Sequence, residues 1–227
     1  MKPLEELYYF VGGDFRHESS YAKKSSHLEF PLIQRNDNQN LDWYSGKKIY
    51  AIKPVDYWAS ENHDDPIEWY IHSNILSDAF DIIMRDPVRD ILWNFRTKKT
   101  QFIPSYIKMN NGELNEGWWT LHIWEEWDCW DRQKSEYLII DEDEEPDELV
   151  RIVLDQQKIL AVPEQERMII RLQVFYSNIY LFHENVVNAI LDSGHARGVL
   201  FLPLAWYNNS FWDEEKYMDD VNARHPW

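Results

Sequence analysis

Hydrophobic residues along the chain fall into short apolar runs, alternating stretches and two stretches of helical period. Leu7 to Val11 (LYYFV) is aromatic and β-branched and is closed by Gly12 and Gly13, which predicts an opening strand. Leu28 to Ile33 and Lys48 to Ile52 are further short strand candidates in a Ser-, Asn- and Asp-rich region, and Pro54 ends the second. From Trp69 the period changes. Ile75, Leu76, Ala79, Phe80 and Ile83 recur at helical spacing, with Ser73 or Ser77 to cap the start, so an amphipathic helix is expected that stops before Pro87. Ile91 to Phe95 and Phe102 to Ile107 then read as strands around the basic turn Arg96 to Lys99. Trp118 to Trp124 alternates, which places Trp119, Leu121 and Ile123 on one side of a strand and Trp118, Thr120, His122 and Trp124 on the other.

Tyr137 to Ile140, Leu149 to Leu154, Met168 to Leu172 and Ile179 to Phe182 are four more strands, separated by turn-like stretches that favour antiparallel pairing. Glu184 to Asp192 is a second amphipathic helix, with Val186, Val187, Ile190 and Leu191 on its apolar face and Gly194 at its C-terminal cap. Val199 to Leu202 is a buried strand ended by Pro203. The expected fold is α+β: a mixed, largely antiparallel sheet with two amphipathic helices, in one domain over residues 1–227.

A shift of 111 lays the second helix on the first, so that His72 meets His183, Asn74 meets Asn185, Asp81 meets Asp192 and Val88 meets Val199. That suggests pseudo-repeated helix–strand units in an N-terminal half, 1–112, and a C-terminal half, 113–227. The competing reading is that two short amphipathic helices align this well by chance.

Charge narrows the field of partners. Forty acidic side chains against twenty-three basic ones give a net charge of -17, which repels nucleic acid and anionic membrane surfaces and speeds encounter with a basic protein. Ordinary solubility is the competing explanation. The single Cys129 has no intramolecular partner, which fits a reducing, cytoplasmic setting. The start, MKPLEELYYFVGGDF, lacks a basic region followed by an apolar run of about 7 to 15 residues, and no stretch approaches the roughly 20 apolar residues that span a bilayer.

The densest chemistry lies between Gly117 and Tyr137, where Trp118, Trp119, Trp124, Trp127 and Trp130 alternate with Glu125, Glu126, Asp128 and Asp131. Core packing explains most of these tryptophans. The acidic rim of Trp124, Glu125, Glu126 and Trp127, with the run Asp141, Glu142, Asp143, Glu144 and Glu145, is the expected contact with a basic partner, because aromatics anchor interfaces and acids beside them complement cations.

Glu125 and Asp128 beside tryptophan platforms also describe a carbohydrate-active hydrolase, and a structural or scaffold module is a third reading. Phosphate-binding loops, G-x-S-x-G, H-E-x-x-H and C-x-x-C are absent from the sequence. His63 with Asp64 and Asp65 has metal-ligand chemistry but reads as a turn before Pro66, and the thiolate of Cys129 is disfavoured by its acidic neighbour. No catalytic residue, metal or cofactor is expected.

Asp128, Asp131 and Ser135, in WDCWDRQKSEY, form a D-x-x-D-x-x-x-S element. Later segments read MIIRL, YLFHENVVNAI and GHARGVLFLPL, with Glu184, Gly194, Gly198, Phe201 and Pro203 at matching places. In these motifs the stretch from Trp69 to Leu204 resembles the bacterial polymorphic-toxin immunity domains typified by a myxobacterial immunity protein. Two departures are His183, where the pattern has Ser, and the excess of tryptophan between Trp124 and Trp130. The resemblance implies an α+β fold and a protein that neutralises a cognate toxin made by the same cell, binding it by occlusion. It transfers no catalytic residue. A homodimer is a further expectation.

Overall fold

A computed structural model of the chain describes residues 2–13, 33–35, 55–59, 75–77, 82–109, 112–138, 148–174, 177–207 and 223–224. In chain order the first elements are helix α1 (Leu4–Leu7) and strands β1 (Tyr8–Gly13), β2 (Ile33–Arg35), β3 (Val55–Ala59), β4 (Ile75–Ser77) and β5 (Ile82–Arg85). Helix α2 (Asp86–Trp93) precedes strands β6 (Thr100–Lys108), β7 (Leu114–Ile123), β8 (Glu126–Trp127), β9 (Glu136–Leu138) and β10 (Glu148–Arg151). Helix α3 (Gln156–Leu160), strands β11 (Ile169–Val174) and β12 (Ser177–His183), helix α4 (Glu184–Asp192) and strand β13 (Val199–Pro203) follow.

The strands form a six-stranded sheet, β2-β3-β6-β7-β5-β4, a five-stranded sheet, β13-β1-β12-β11-β8, and the pair β10-β9. Among the described strand pairs only β3–β6 and β11–β8 run parallel. The fold is therefore α+β, with largely antiparallel sheets and two longer helices, as the hydrophobic pattern implies.

One core lies between the two large sheets. Ile82, Met84, Leu121 and Ile123 from the first meet Tyr9, Val11, Ile169, Phe182 and Phe201 from the second, with Val88 and Leu92 of α2 and Val186, Val187 and Ile190 of α4 among them. The opposite face of the five-stranded sheet has its own core, where Tyr8, Ile170, Leu172, Ile179 and Leu181 pack on Leu4, Trp130, Leu154 and Ile159. Burial on both faces explains why these strands read as continuous apolar runs rather than alternating ones. In β7 both faces are covered as well: Trp118, Leu121 and Ile123 are all buried.

Helix α4 spans the residues its pattern predicts, and Gly194 follows its C-terminus at φ +75, a left-handed conformation that a side chain would strain. The first helix does not lie where its spacing predicts. Ile75–Ser77 and Ile82–Arg85 are antiparallel strands, with Ile75 opposite Met84 and Leu76 opposite Ile83. Residues with two buried faces can show a helical period by accident, and β-branched isoleucines favour the pleat. Helix α2 instead begins at Asp86 and carries Pro87 in its first turn, where a missing N–H breaks no helical bond. Pro87 therefore starts this helix instead of stopping one, and Ile91 is in its last turn rather than in a strand.

The shift of 111 consequently pairs strand with helix and does not hold. The observed strand–helix–strand units align with a shift of 98, which brings Asp86, Val88 and Leu92 onto Glu184, Val186 and Ile190. A division at 112/113 would cut the β6–β7 hairpin, and it would part β1 from the five-stranded sheet. The strand candidate Lys48 to Ile52 and His72 lie outside the described residues.

Candidate functional site

The acidic, tryptophan-rich stretch is a strap between the sheets. β7 ends at Ile123, the Trp124 N–H donates to the Lys99 carbonyl at 3.2 Å, and the chain then enters the other sheet, where Glu126 and Trp127 pair in parallel with Arg171 and Leu172. Each acid on the strap meets a cation of the same molecule. Glu125 takes Lys99 at 2.9 Å, and Glu126 takes Arg171 at 2.7 Å. Asp128 takes Arg132 at 2.6 Å and Lys158 at 3.5 Å. Arg171 is only 2% exposed and also donates to the Ile123 carbonyl at 3.1 Å, so one guanidinium binds the end of one sheet to the edge of the other.

The rim of Glu125 and Glu126, expected to receive an outside cation, thus already holds inside ones. The reason is tertiary: Lys99 and Arg171 are 26 and 45 positions from their partners in sequence. Trp124 is partly buried, and Trp127 packs on the second core. Asp141, Glu142, Asp143, Glu144 and Glu145 lie outside the described residues, as do His63, Asp64 and Asp65. Sequence reasoning missed Arg171, whose signal was a lone arginine inside the apolar run MIIRL; a buried charge there demands a counterion.

The D-x-x-D-x-x-x-S element continues the strap into a stitched turn. The Asp131 N–H donates to the Val153 carbonyl at 2.7 Å, and Asp131 Oδ1 accepts from the Gln133 N–H at 3.1 Å. Ser135 Oγ accepts from the Val153 N–H at 3.0 Å. Asp128 carries this stitching to α3, because Lys158 Nζ also donates to the Asp128 carbonyl at 2.8 Å. The element fixes backbone, and its acids serve the fold.

Protonation states agree with that role. For Asp128, burial pushes the carboxyl up, but the hydrogen bond and charge of Arg132, aided by Lys158, outweigh it and hold the group below the usual carboxylate range. A general acid needs the opposite shift, which weighs against Asp128 as the proton donor of a hydrolase. Burial pushes the Cys129 thiol up to about 12, with the Asp128 charge adding to the effect, so it stays a thiol at neutral pH. Among the described residues no three His, Cys, Asp or Glu side chains are grouped to hold a metal ion.

His183 caps α4 after all. Its Nδ1 accepts from the Asn185 N–H at 3.3 Å, which supplies the acceptor that serine would. Burial holds its pKa below the ordinary value, against the raising effects of Glu164 and Glu184. The unfolded chain therefore takes up the proton more readily than the folded one. The stability tied to neutral His183 is full above about pH 6.5 and is lost as pH falls from there through the folded pKa. His183→Ser keeps an acceptor and removes the titration, so its urea midpoint is expected to fall less than that of the parent between about pH 7.5 and pH 5.5. Equal slopes in the two proteins would remove His183 as a source of pH dependence.

Beside this cap a groove of about 1040 Å³ runs between the N-terminal segment and the Val153–Gln157 stretch. Most of its charges are already paired or capping: Lys2 with Glu184 at 2.7 Å, Lys134 with Asp131 at 2.6 Å, and Asp155 with the first turn of α3. No protein-family model matches this chain, and no curated protein matches it either.

Proposed function

We propose that this chain is an immunity-type inhibitor: it binds a cognate bacterial toxin through an acidic face and blocks it by occlusion, with no chemistry of its own. The observation that carries the reading is electrostatic. Forty acids against twenty-three bases give a net charge of -17, and the strap's ion pairs, which match acid with cation, leave that excess and its negative field in place. Such a field steers a basic partner.

The groups with reactive chemistry support the same reading, since Cys129 is buried, His183 caps a helix and Asp128 is held by two cations. No described helix is long and apolar enough to cross a membrane. Capturing a basic face at Glu125 or Glu126 would require displacing Lys99 or Arg171, so the contact is assigned to the run Asp141–Glu145, where five acids follow one another.

Co-expression with the toxin encoded beside it tests the proposal. The chain is expected to relieve the toxicity, and absence of rescue overturns it. With the purified pair, neutralising Asp141–Glu145 is expected to slow association about tenfold at low salt and to flatten its salt dependence, with little change in dissociation. An association rate indifferent to salt would remove the steering role.

A further inference from the structure

The exposed stripe of α2 has an order of charge that complements itself. Asp86, Asp90 and Trp93 follow at i, i+4 and i+7 on one face, and all three are exposed, whereas Val88 and Leu92 on the other face are fully buried. Beyond the helix come Arg96 and Lys98, both exposed. Along this surface the sequence is therefore acid, acid, tryptophan, cation, cation. Between Arg85 and Lys99 the chain carries five cations and two acids, a local reversal of its overall charge of -17.

Trp93 is 49% exposed, while its ring leans on Phe102 at 5.8 Å between centroids and carries the Arg96 guanidinium 4.0 Å above it. Arg96 donates through Nη1 to the Trp93 carbonyl, which anchors it at the helix C-terminus, and a guanidinium carries four further N–H donors. Among the described residues neither Arg96 nor Lys98 pairs with a carboxylate. Asp86 and Asp90 share Arg89, at 2.9 and 2.6 Å, each through Oδ1. Unlike Glu125 and Glu126, which have a cation each, these two acids have one between them and keep a net negative charge. Trp119 Nε1 adds a bond to the same oxygen of Asp86 at 2.8 Å, and the Asp86 and Asp90 side chains stay 60% and 66% exposed. Tryptophan and arginine are among the residues most enriched at interface hot spots, and stacking on the guanidinium holds the ring in place.

We propose that this face binds a second copy of the chain, helix α2 lying antiparallel to its twin about a two-fold axis. Antiparallel placement sets Asp86 and Asp90 of each copy against Arg96 and Lys98 of the other and brings the two Trp93 rings together between them. An isologous contact needs such a self-complementary patch, and a parallel placement, about a two-fold along the helix axis, would instead oppose like charges. The stripe is short and the two chains carry like net charge, so the dimer is weak, in the micromolar range. It forms best at about 0.15 M salt, where the long-range repulsion is screened beyond about 8 Å and pairs in contact are screened less. The assembly is independent of the toxin reading, and failure of rescue by co-expression would leave it standing.

Sedimentation of the full chain from about 1 to 200 µM at about 0.15 M salt tests it. A reversible monomer–dimer equilibrium is expected, weakened about tenfold or more by Trp93→Ala and by Lys98→Glu. Both substitutions are at exposed positions, and circular dichroism confirms that each variant is folded. An all-acidic stripe (Arg96→Glu with Lys98→Glu) and a basic one (Asp90→Lys) are each expected to self-associate poorly and to pair with one another on mixing. A parent chain that stays monomeric throughout overturns the proposal. So does a dimer that Trp93→Ala and Lys98→Glu leave unchanged.

Discussion

Glu126→Ala is expected to cost about 3 kcal/mol of stability, because it leaves the guanidinium of Arg171 without its carboxylate in a site only 2% exposed. A side chain of Glu126 that is 32% exposed lets some water reach the pair, which keeps the cost at the lower end of the range for broken buried ion pairs. In a chain of 227 residues that loss corresponds to a fall in melting temperature of roughly 6 to 12 °C. Arg171→Met is milder, since Glu126 can then turn to solvent and the aliphatic stem is replaced by a side chain of similar volume. The double variant Arg171→Met/Glu126→Gln lies closer to the parent than Glu126→Ala does, and a denaturant-melt cycle of the four proteins reads the coupling directly. Additive effects would mean that the pair does not act as a unit. The strap would then be held mainly by its apolar contacts.

Trp130→Ala is expected to be at least as damaging, at about 3 to 5 kcal/mol. Its ring is 2% exposed in the second core, and Nε1 donates to the Gln173 carbonyl at 3.0 Å. It also meets the edge of Tyr137 and carries Arg132, whose guanidinium lies 4.5 Å from the ring centre. Removing it opens a cavity between the five-stranded sheet and the stretch that runs through Leu154. Trp130→Phe retains most of the packing and loses the hydrogen bond, so about 1 kcal/mol is expected. A Trp130→Ala variant whose urea midpoint falls by less than that of Trp130→Phe would show that the pocket collapses without loss. The damage from Trp130→Ala bears on function only through the folded fraction, so binding by the surviving native protein should keep its affinity.

How legible each element was depended on how many faces it buries. Helix α4 has one apolar stripe, a polar back and a glycine stop, and its pattern gives both of its boundaries. β11, β12 and β13 were legible as apolar runs too short for buried helices. The Ile75–Ile83 stretch misled because its apolar positions belong to two separate strands, β4 and β5, so a period counted across both does not describe one element. Pro87 misled for a related reason: the same residue ends a helix from inside and begins one in its first turn, and only the location of the core decides which.

The acidic rim followed a similar logic. Its acids and tryptophans are plain in the sequence, and so is the stitched turn at Asp128, Asp131 and Ser135. Their availability is not, since Glu125 and Glu126 are matched by Lys99 and Arg171 from distant strands. By itself the sequence determined the α+β class, most of the described strands, the second helix and the sign of the net charge, because each follows from local pattern or from summed charge. Only the tertiary structure decided where the first helix lies, which carboxylates are already paired, and that the exposed face of α2 runs from acid through tryptophan to cation. Those depend on which residues are brought together across the chain, and through-space pairing leaves no periodic trace along it.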